Sequence, residues 1–227
     1  MPNYDDRRGA KVVSVTELIG LYGNKDGLLI WASGFGSKDA FMKGRYKGAT
    51  VGTAVHRRIE CHLTGQEADA LALGTFSRDG TELPDARELA NAWKAYCSYY
   101  AAIHPGIRGL EVEVKMYHPT RNFAGTTDLM VQTDEGHHLI DWKTSSTYRA
   151  GSQAAIEQRR SFYLQASAYA ELIRATKNIE VRDATIVCLD KKSGDYHPIE
   201  FTAEQLRAGY AAFEALLNAH EAIQALQ

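Results

Sequence analysis

The sequence predicts an α/β fold, a mixed sheet flanked by helices. Period-two alternation of apolar and polar residues is concentrated between Leu110 and Ser146. Long stretches on either side carry apolar residues at helical spacing. The order of elements is helices, three strands in a meander, a helix, one or two strands, and a helix, which calls for helices on both faces of a sheet. The whole chain of 227 residues reads as one domain, with residues 1–50 an N-terminal helix and loop extension.

The elements follow in order. "SVTELIGLYG" begins with a Ser14–Glu17 capping box and ends at Gly23, so a short helix is expected. "SGFGSKDAFMKGRYKG" is rich in glycine and lysine and reads as a loop or irregular cover. "TVGTAVHRRIECHL" places Val51, Val55, Ile59 and Leu63 at four-residue steps, a helical stripe. "GTFSRDGTELP" reads as loop. "DARELANAWKAYCSYYAAI" is a strong helix that stops before His104-Pro105-Gly106. "LEVEVKMYH", "NFAGTTDLMVQT" and "HHLIDWKTSS" are three strands, the last two joined by a turn at Asp134–Gly136. "QAAIEQRRSFYLQASAYAELIRA" is a long helix. "DATIVCLDK" is a strand, "SGDYH" a turn, "PIEFT" a strand, and the chain closes on a helix from Thr202 onward.

Composition bounds the function. With 44% hydrophobic and 24% charged residues the chain is ordinary for a globular protein. The formal net charge is −2 and the pI about 6.4, so contact with a polyanion must come from local patches or a bound cation. Cys61, Cys97 and Cys188 are scattered, with no CxxC pair to hold zinc or a cluster. They fit a reducing compartment. No apolar run approaches the roughly 20 residues that span a bilayer, and the first residues lack the apolar stretch of a signal peptide. A cytoplasmic protein is expected.

Within "LIDWK", Asp141 and Lys143 share one face of a strand and Trp142 takes the other. The turn at Asp134–Gly136 folds this strand beside the one carrying Asp128. Two bare carboxylates about 4 Å apart repel by roughly 4 kcal/mol at an effective dielectric near 20. A hard divalent cation, Mg²⁺ or Mn²⁺, would answer that repulsion. A lone Asp-x-Lys is otherwise a surface ion pair; here an apolar run enters it and Gly125-x-x-Asp128 precedes it.

Taken together, "GTTDLM", "HLIDWKTSS" and "YLQASAYAEL" resemble the RecB-type branch of the PD-(D/E)xK nuclease superfamily, which includes phage recombination exonucleases and a mitochondrial genome-maintenance exonuclease. The matching positions are Gly125 and Asp128, Asp141, Lys143 and Thr144, and Gln165 and Tyr169; His56 in "GTAVHRRIE" matches an upstream helical histidine, and Glu113 best fits a first-strand glutamate. The match runs from about Gly52 to Ala170. Thr127 stands where the motif has proline, and the absence of a cysteine set disfavours the iron–sulfur members.

The resemblance implies a restriction-endonuclease-like fold and a metal-dependent DNA exonuclease, with one or two Mg²⁺ or Mn²⁺ ions, acting in phage or bacterial recombination or repair. His56, Asp128, Asp141 and the Trp142 carbonyl would ligate metal, Lys143 would be the catalytic lysine, and Gln165 and Tyr169 would hold the DNA strand. It also makes a single-strand annealing or single-strand-binding protein a plausible partner. A structure-specific endonuclease on the same core, or a silent nucleic-acid-binding module, are the alternatives.

Some readings stay open. His56 also fits a boundary histidine on an apolar helix, Glu60 either supports His56 or pairs with Arg57, and either Glu111 or Glu113 joins the site. His137 and His138 read as residues at a loop edge, and Trp142 as core. Basic candidates for phosphate contact are Arg45, Lys47, Arg57, Arg58, Arg149, Arg159 and Arg160. Trp31, Phe35, Phe41 and Tyr46 are either base-stacking rings or anchors for a long loop.

Overall fold

The computed structural model describes residues 12–22, 34, 37–75, 83–145 and 153–226; the side chains of residues 38, 41–48, 153–155 and 157 are left aside. Six strands and five α-helices make up this part. They are β1 (Val13–Ser14), α1 (Val15–Tyr22), α2 (Lys38–Thr64), α3 (Ala86–Ile103), β2 (Gly109–Tyr117), β3 (Phe123–Thr133), β4 (Gly136–Ser145), α4 (Gln153–Lys177), β5 (Val181–Asp190), β6 (Tyr196–Thr202) and α5 (Ala203–Gln224).

The sheet runs β1-β3-β4-β5-β6, with β2 also paired to β3. β2, β3 and β4 form the expected antiparallel meander. β5 then lies parallel to β4, because α4 carries the chain back over the sheet, and β6 returns antiparallel to β5.

Alternation along the strands divides two cores. Leu139, Ala184, Ile186 and Cys188 face α1, α4 and α5, packing on Leu18, Leu172, Phe213 and Leu217. Ile140, Trp142, Val187 and Leu189 face α2 and α3, packing on Val55, Ile59, Tyr96 and Tyr99. Helices therefore cover both faces, as the order of elements predicts. The three cysteines are free. No described helix is long and apolar enough to cross a membrane.

Local signals explain the boundaries. The Ser14 side chain accepts the Glu17 N–H at 3.0 Å and starts α1. Asp85 caps α3 by accepting from the N–H groups of Arg87 and Glu88. Thr202 and Gln205 form a full capping box on α5.

Two expectations change. Residues 38–48, read as glycine-rich loop, are the first turns of α2, a helix of 27 residues. The start signal is Ser37, whose hydroxyl accepts the Ala40 N–H at 3.1 Å, with Asp39 in the first turn. Glycine lowers helix propensity by only about 1 kcal/mol per residue, and the cap together with the buried stripe downstream outweighs it. The other change is at β5 and β6, which begin at Val181 and Tyr196, each two residues before the sequence pattern suggests.

Candidate active site at a fork in the sheet

β3 and β4 pair from Thr133/Gly136 up to Leu129/Ile140, where the ladder stops. The next residues on each strand are Asp128 and Asp141. In place of a carbonyl, the Asp128 carboxylate takes over as acceptor: its Oδ2 receives the Trp142 N–H at 2.8 Å. The fork is thus held open by a side chain and leaves both acids at its crotch.

On the other edge of β3, pairs form at Val112/Leu129 and Val114/Thr127 but not at Glu113, which faces Asp128. Glu113 has φ +52°, in the left-handed region that costs a side-chain-bearing residue of order 1–3 kcal/mol. Like charges directly across strands also repel. α2 completes the cluster with His56, whose Nδ1 lies 3.5 Å from Asp128 Oδ2. One ligand-type atom from each of His56, Glu113 and Asp128 lies within 4.8 Å of the others.

Asp141 forms the second half. It is 2% exposed. The Lys143 ammonium contacts its Oδ2, and Gln165 Nε2 donates to its Oδ1 at 3.2 Å. Gln165 also donates to the Tyr169 hydroxyl at 3.1 Å, so the two share a face of α4 as their spacing predicts. Trp142 points the opposite way, 1% exposed, edge-on to Tyr96 and Tyr99 at 5.3 and 5.7 Å.

Two glycines let the helices close on this fork. A Cβ on Gly125 would sit 2.6 Å from Tyr169 Cε1, so glycine lets Tyr169 lie against β3. A Cβ on Gly52, one turn before His56, would meet Thr144 Oγ1 at 3.2 Å.

The electrostatics are those of a cluster short of positive charge. Glu113 keeps an exposed face, yet partial desolvation against the cluster, then the charge of Asp128, pushes its carboxyl up to about 7. Burial, with Asp128 again adding to it, raises Asp141 to about 6 against the pull of Lys143. Burial works against the His56 imidazolium, yet the Asp128 charge and hydrogen bond carry it up to about 8. Asp128 goes the other way: burial opposes ionisation, but His56, Lys143 and the Trp142 N–H hold it below the usual carboxylate range. Lys143 is half-buried, and the two aspartates more than offset its desolvation and raise it. Once His56 gives up its proton to act as a ligand and the carboxyls are ionised, Glu113, Asp128 and Asp141 against the Lys143 ammonium leave two negative charges. That is the charge of one divalent cation, and carboxylate oxygens with one imidazole suit Mg²⁺ or Mn²⁺.

Several open readings are resolved. Glu111 pairs with Lys177 at 2.6 Å, so Glu113 is the β2 acid at the cluster. Glu60 pairs with Arg57 at 2.8 Å. His138 is bonded on both nitrogens, to Asp183 at 2.7 Å and Thr133 at 2.9 Å. Among the basic candidates, Arg57 is engaged by Glu60 and by Asp69 at 2.7 Å, Arg58 stacks over Trp93 at 4.2 Å and Arg159 over Phe201 at 5.2 Å. Arg160 is exposed on α4. Arg149, Trp31 and Phe35, and the side chains of Phe41, Arg45, Tyr46 and Lys47, lie outside the described residues.

The model of the PD-(D/E)XK nuclease superfamily matches residues 37–226, and the chain belongs to that family. Among solved structures, LHK-Exo in complex with dAMP is similar at 18% identity and a TM-score of 0.33, covering 94% of this chain and 93% of that one. The crystal structure of SSO0001 is similar at 14% identity and a TM-score of 0.32, covering 73% and 74%. No curated protein sequence matches significantly.

Proposed function

We propose that this chain is a metal-dependent DNA exonuclease that hydrolyses phosphodiester bonds, serving phage or bacterial recombination or repair. The observation that carries the reading is the convergence of His56, Glu113 and Asp128 within 4.8 Å at a fork whose other prong holds the Lys143–Asp141 pair. Family membership supports nuclease chemistry, and the two negative charges left when the cluster gives up its protons support a divalent cation.

His56, Glu113 and Asp128 would hold the cation, with Asp141 and the Trp142 carbonyl completing its surroundings. Because a strand residue directs its N–H and C=O to the same edge, the Trp142 carbonyl opens onto the fork that its N–H shares with Asp128. When bound, the cation supplies Lewis acidity at the phosphoryl group. Lys143 keeps its proton beside Asp141 and stabilises the negative charge that builds on the phosphoryl oxygens. Gln165 fixes the Asp141 carboxylate and so aims Lys143. The Tyr169 hydroxyl and the Gln165 amide offer the DNA strand neutral polar contacts.

End-labelled linear DNA tests the reading. Degradation is expected with Mg²⁺ or Mn²⁺, none in EDTA, and none by Lys143→Ala. Covalently closed circular DNA stays intact for an exonuclease; its cleavage would make the enzyme an endonuclease, and undiminished digestion by Lys143→Ala would overturn the site.

A further inference from the structure

The turn between β5 and β6 is bonded to β4 just beyond Lys143. β5 runs parallel to β4 with Lys143 opposite Cys188 and Ser145 opposite Asp190. Lys191 N–H then donates to Ser145 O at 2.9 Å. The turn therefore sits two strand residues beyond Lys143, roughly 7 Å along β4, about one phosphate step along an extended nucleic-acid strand.

Its backbone is fixed several times over. Asp190 Oδ1 accepts from the N–H groups of Lys192 at 2.7 Å and Ser193 at 3.1 Å. Gly194 N–H donates to Asp190 O at 2.9 Å, and Gly194 has φ +79°. The Asn91 amide of α3 donates to two of the turn's carbonyls, Lys191 O at 3.2 Å and Lys192 O at 2.7 Å. Lys191 is folded down onto Glu88 at 3.0 Å with 12% of its side chain exposed. This bracing leaves Lys192 exposed and without an ion pair among the described residues. Lys94, also exposed and likewise unpaired among the described residues, runs over Gly194: a Cβ there would lie 3.1 Å from its Cδ and 3.5 Å from its Nζ. Two ammonium groups are thus carried on a rigid support at the end of the sheet where the catalytic strand emerges.

We propose that Lys192 and Lys94 contact the nucleic-acid backbone beside the scissile phosphodiester, the braced turn presenting Lys192 and α3 presenting Lys94, so that binding orders their side chains but not the backbone beneath them. The proposal rests on the nuclease reading and adds the element that tracks the substrate. Ammonium groups read phosphate charge and not base identity, so the contact serves affinity and processive movement.

The test measures binding of the full-length protein to a single-stranded or duplex oligonucleotide in Ca²⁺ across a salt series, with KM and kcat in Mg²⁺. Lys94→Gln/Lys192→Gln is expected to flatten the slope of log affinity against log salt by about 2, roughly one per lysine, and to raise KM about tenfold with kcat nearly unchanged. Asn91→Leu keeps both charges and frees the turn, so the slope should stay while KM rises. Melting curves equal to the wild type exclude misfolding. An active wild type whose double variant keeps its slope and KM overturns this proposal alone, as does a double variant that only mimics Asn91→Leu. A wild type that neither binds nor cuts DNA overturns the nuclease reading beneath it.

Discussion

Among the described residues two histidine–aspartate pairs lie at this sheet, one between neighbouring strands and one between α2 and β3, and they differ in what surrounds them. His138 and Asp183 face each other at 2.7 Å across the parallel β4–β5 ladder, which continues unbroken to Ser145 from a register shift at His137/His138, and Thr133 occupies the other ring nitrogen. His56 and Asp128 are looser, at 3.5 Å, at a place where pairing has broken down and further acids crowd in. In the first pair both histidine nitrogens are taken. The second is under-satisfied, and its neighbours respond by holding protons. Residue type alone does not separate the two; the unmet demand for charge does.

Breaking the comparison should be most visible in activity. Asp128→Asn or Lys143→Met should lower kcat on linear DNA by on the order of 10²–10³-fold or more, whereas Asp183→Asn should leave it near the wild-type value. Single-turnover digests decide the matter, and equal losses in both pairs would erase the distinction.

Packing against the fork comes next. Gly125→Ala would push Tyr169 off β3, and overpacking of this kind costs about 1–3 kcal/mol. Denaturant midpoints should fall accordingly, with activity lost beyond what stability explains.

The response to pH sharpens the contrast. Glu113, Asp141 and His56 all have folded pKa values above their ordinary ones, so each adds stability at low pH and loses it as pH rises through its folded value. The metal-free protein should therefore lose stability from about pH 5 to about pH 8. A cation displaces those protons, so the rise in Tm on adding Mn²⁺ should grow over the same window, on the order of 2–4 °C for each kcal/mol gained. A rise in Tm independent of pH would contradict the raised values.

The smallest effect concerns strain. Glu113→Gly removes a like charge and suits φ +52°, so the metal-free fold should gain up to about 1 kcal/mol while the Mn²⁺ response weakens. Thermal melts with and without the ion check both halves.

Much of this was legible in the sequence. Alternation in Leu139–Lys143 put Asp141 and Lys143 together and sent Trp142 to the core. Four-residue spacing put Gln165 and Tyr169 on one face. The fork itself was not legible, because a broken ladder is a relation between two strands and neither strand records it. Nor was the choice between Glu111 and Glu113, which turns on one backbone angle and a lysine 66 positions away. The first turns of α2 are hidden in the sequence because glycine content speaks louder than a single capping serine. Lys94 and Lys192 carry no signal in the sequence, because nothing there shows that Asn91 reaches across about 100 residues to hold a turn.

The hold on Asp128 comes from the Trp142 peptide group and not from its indole. Any amino acid except proline could donate that bond. The middle position of the Asp-Trp-Lys triplet therefore answers to the hydrophobic layer beneath it, while chemistry governs the residues on either side. Close relatives should vary freely there in size and shape, in step with their partners at positions 96 and 99.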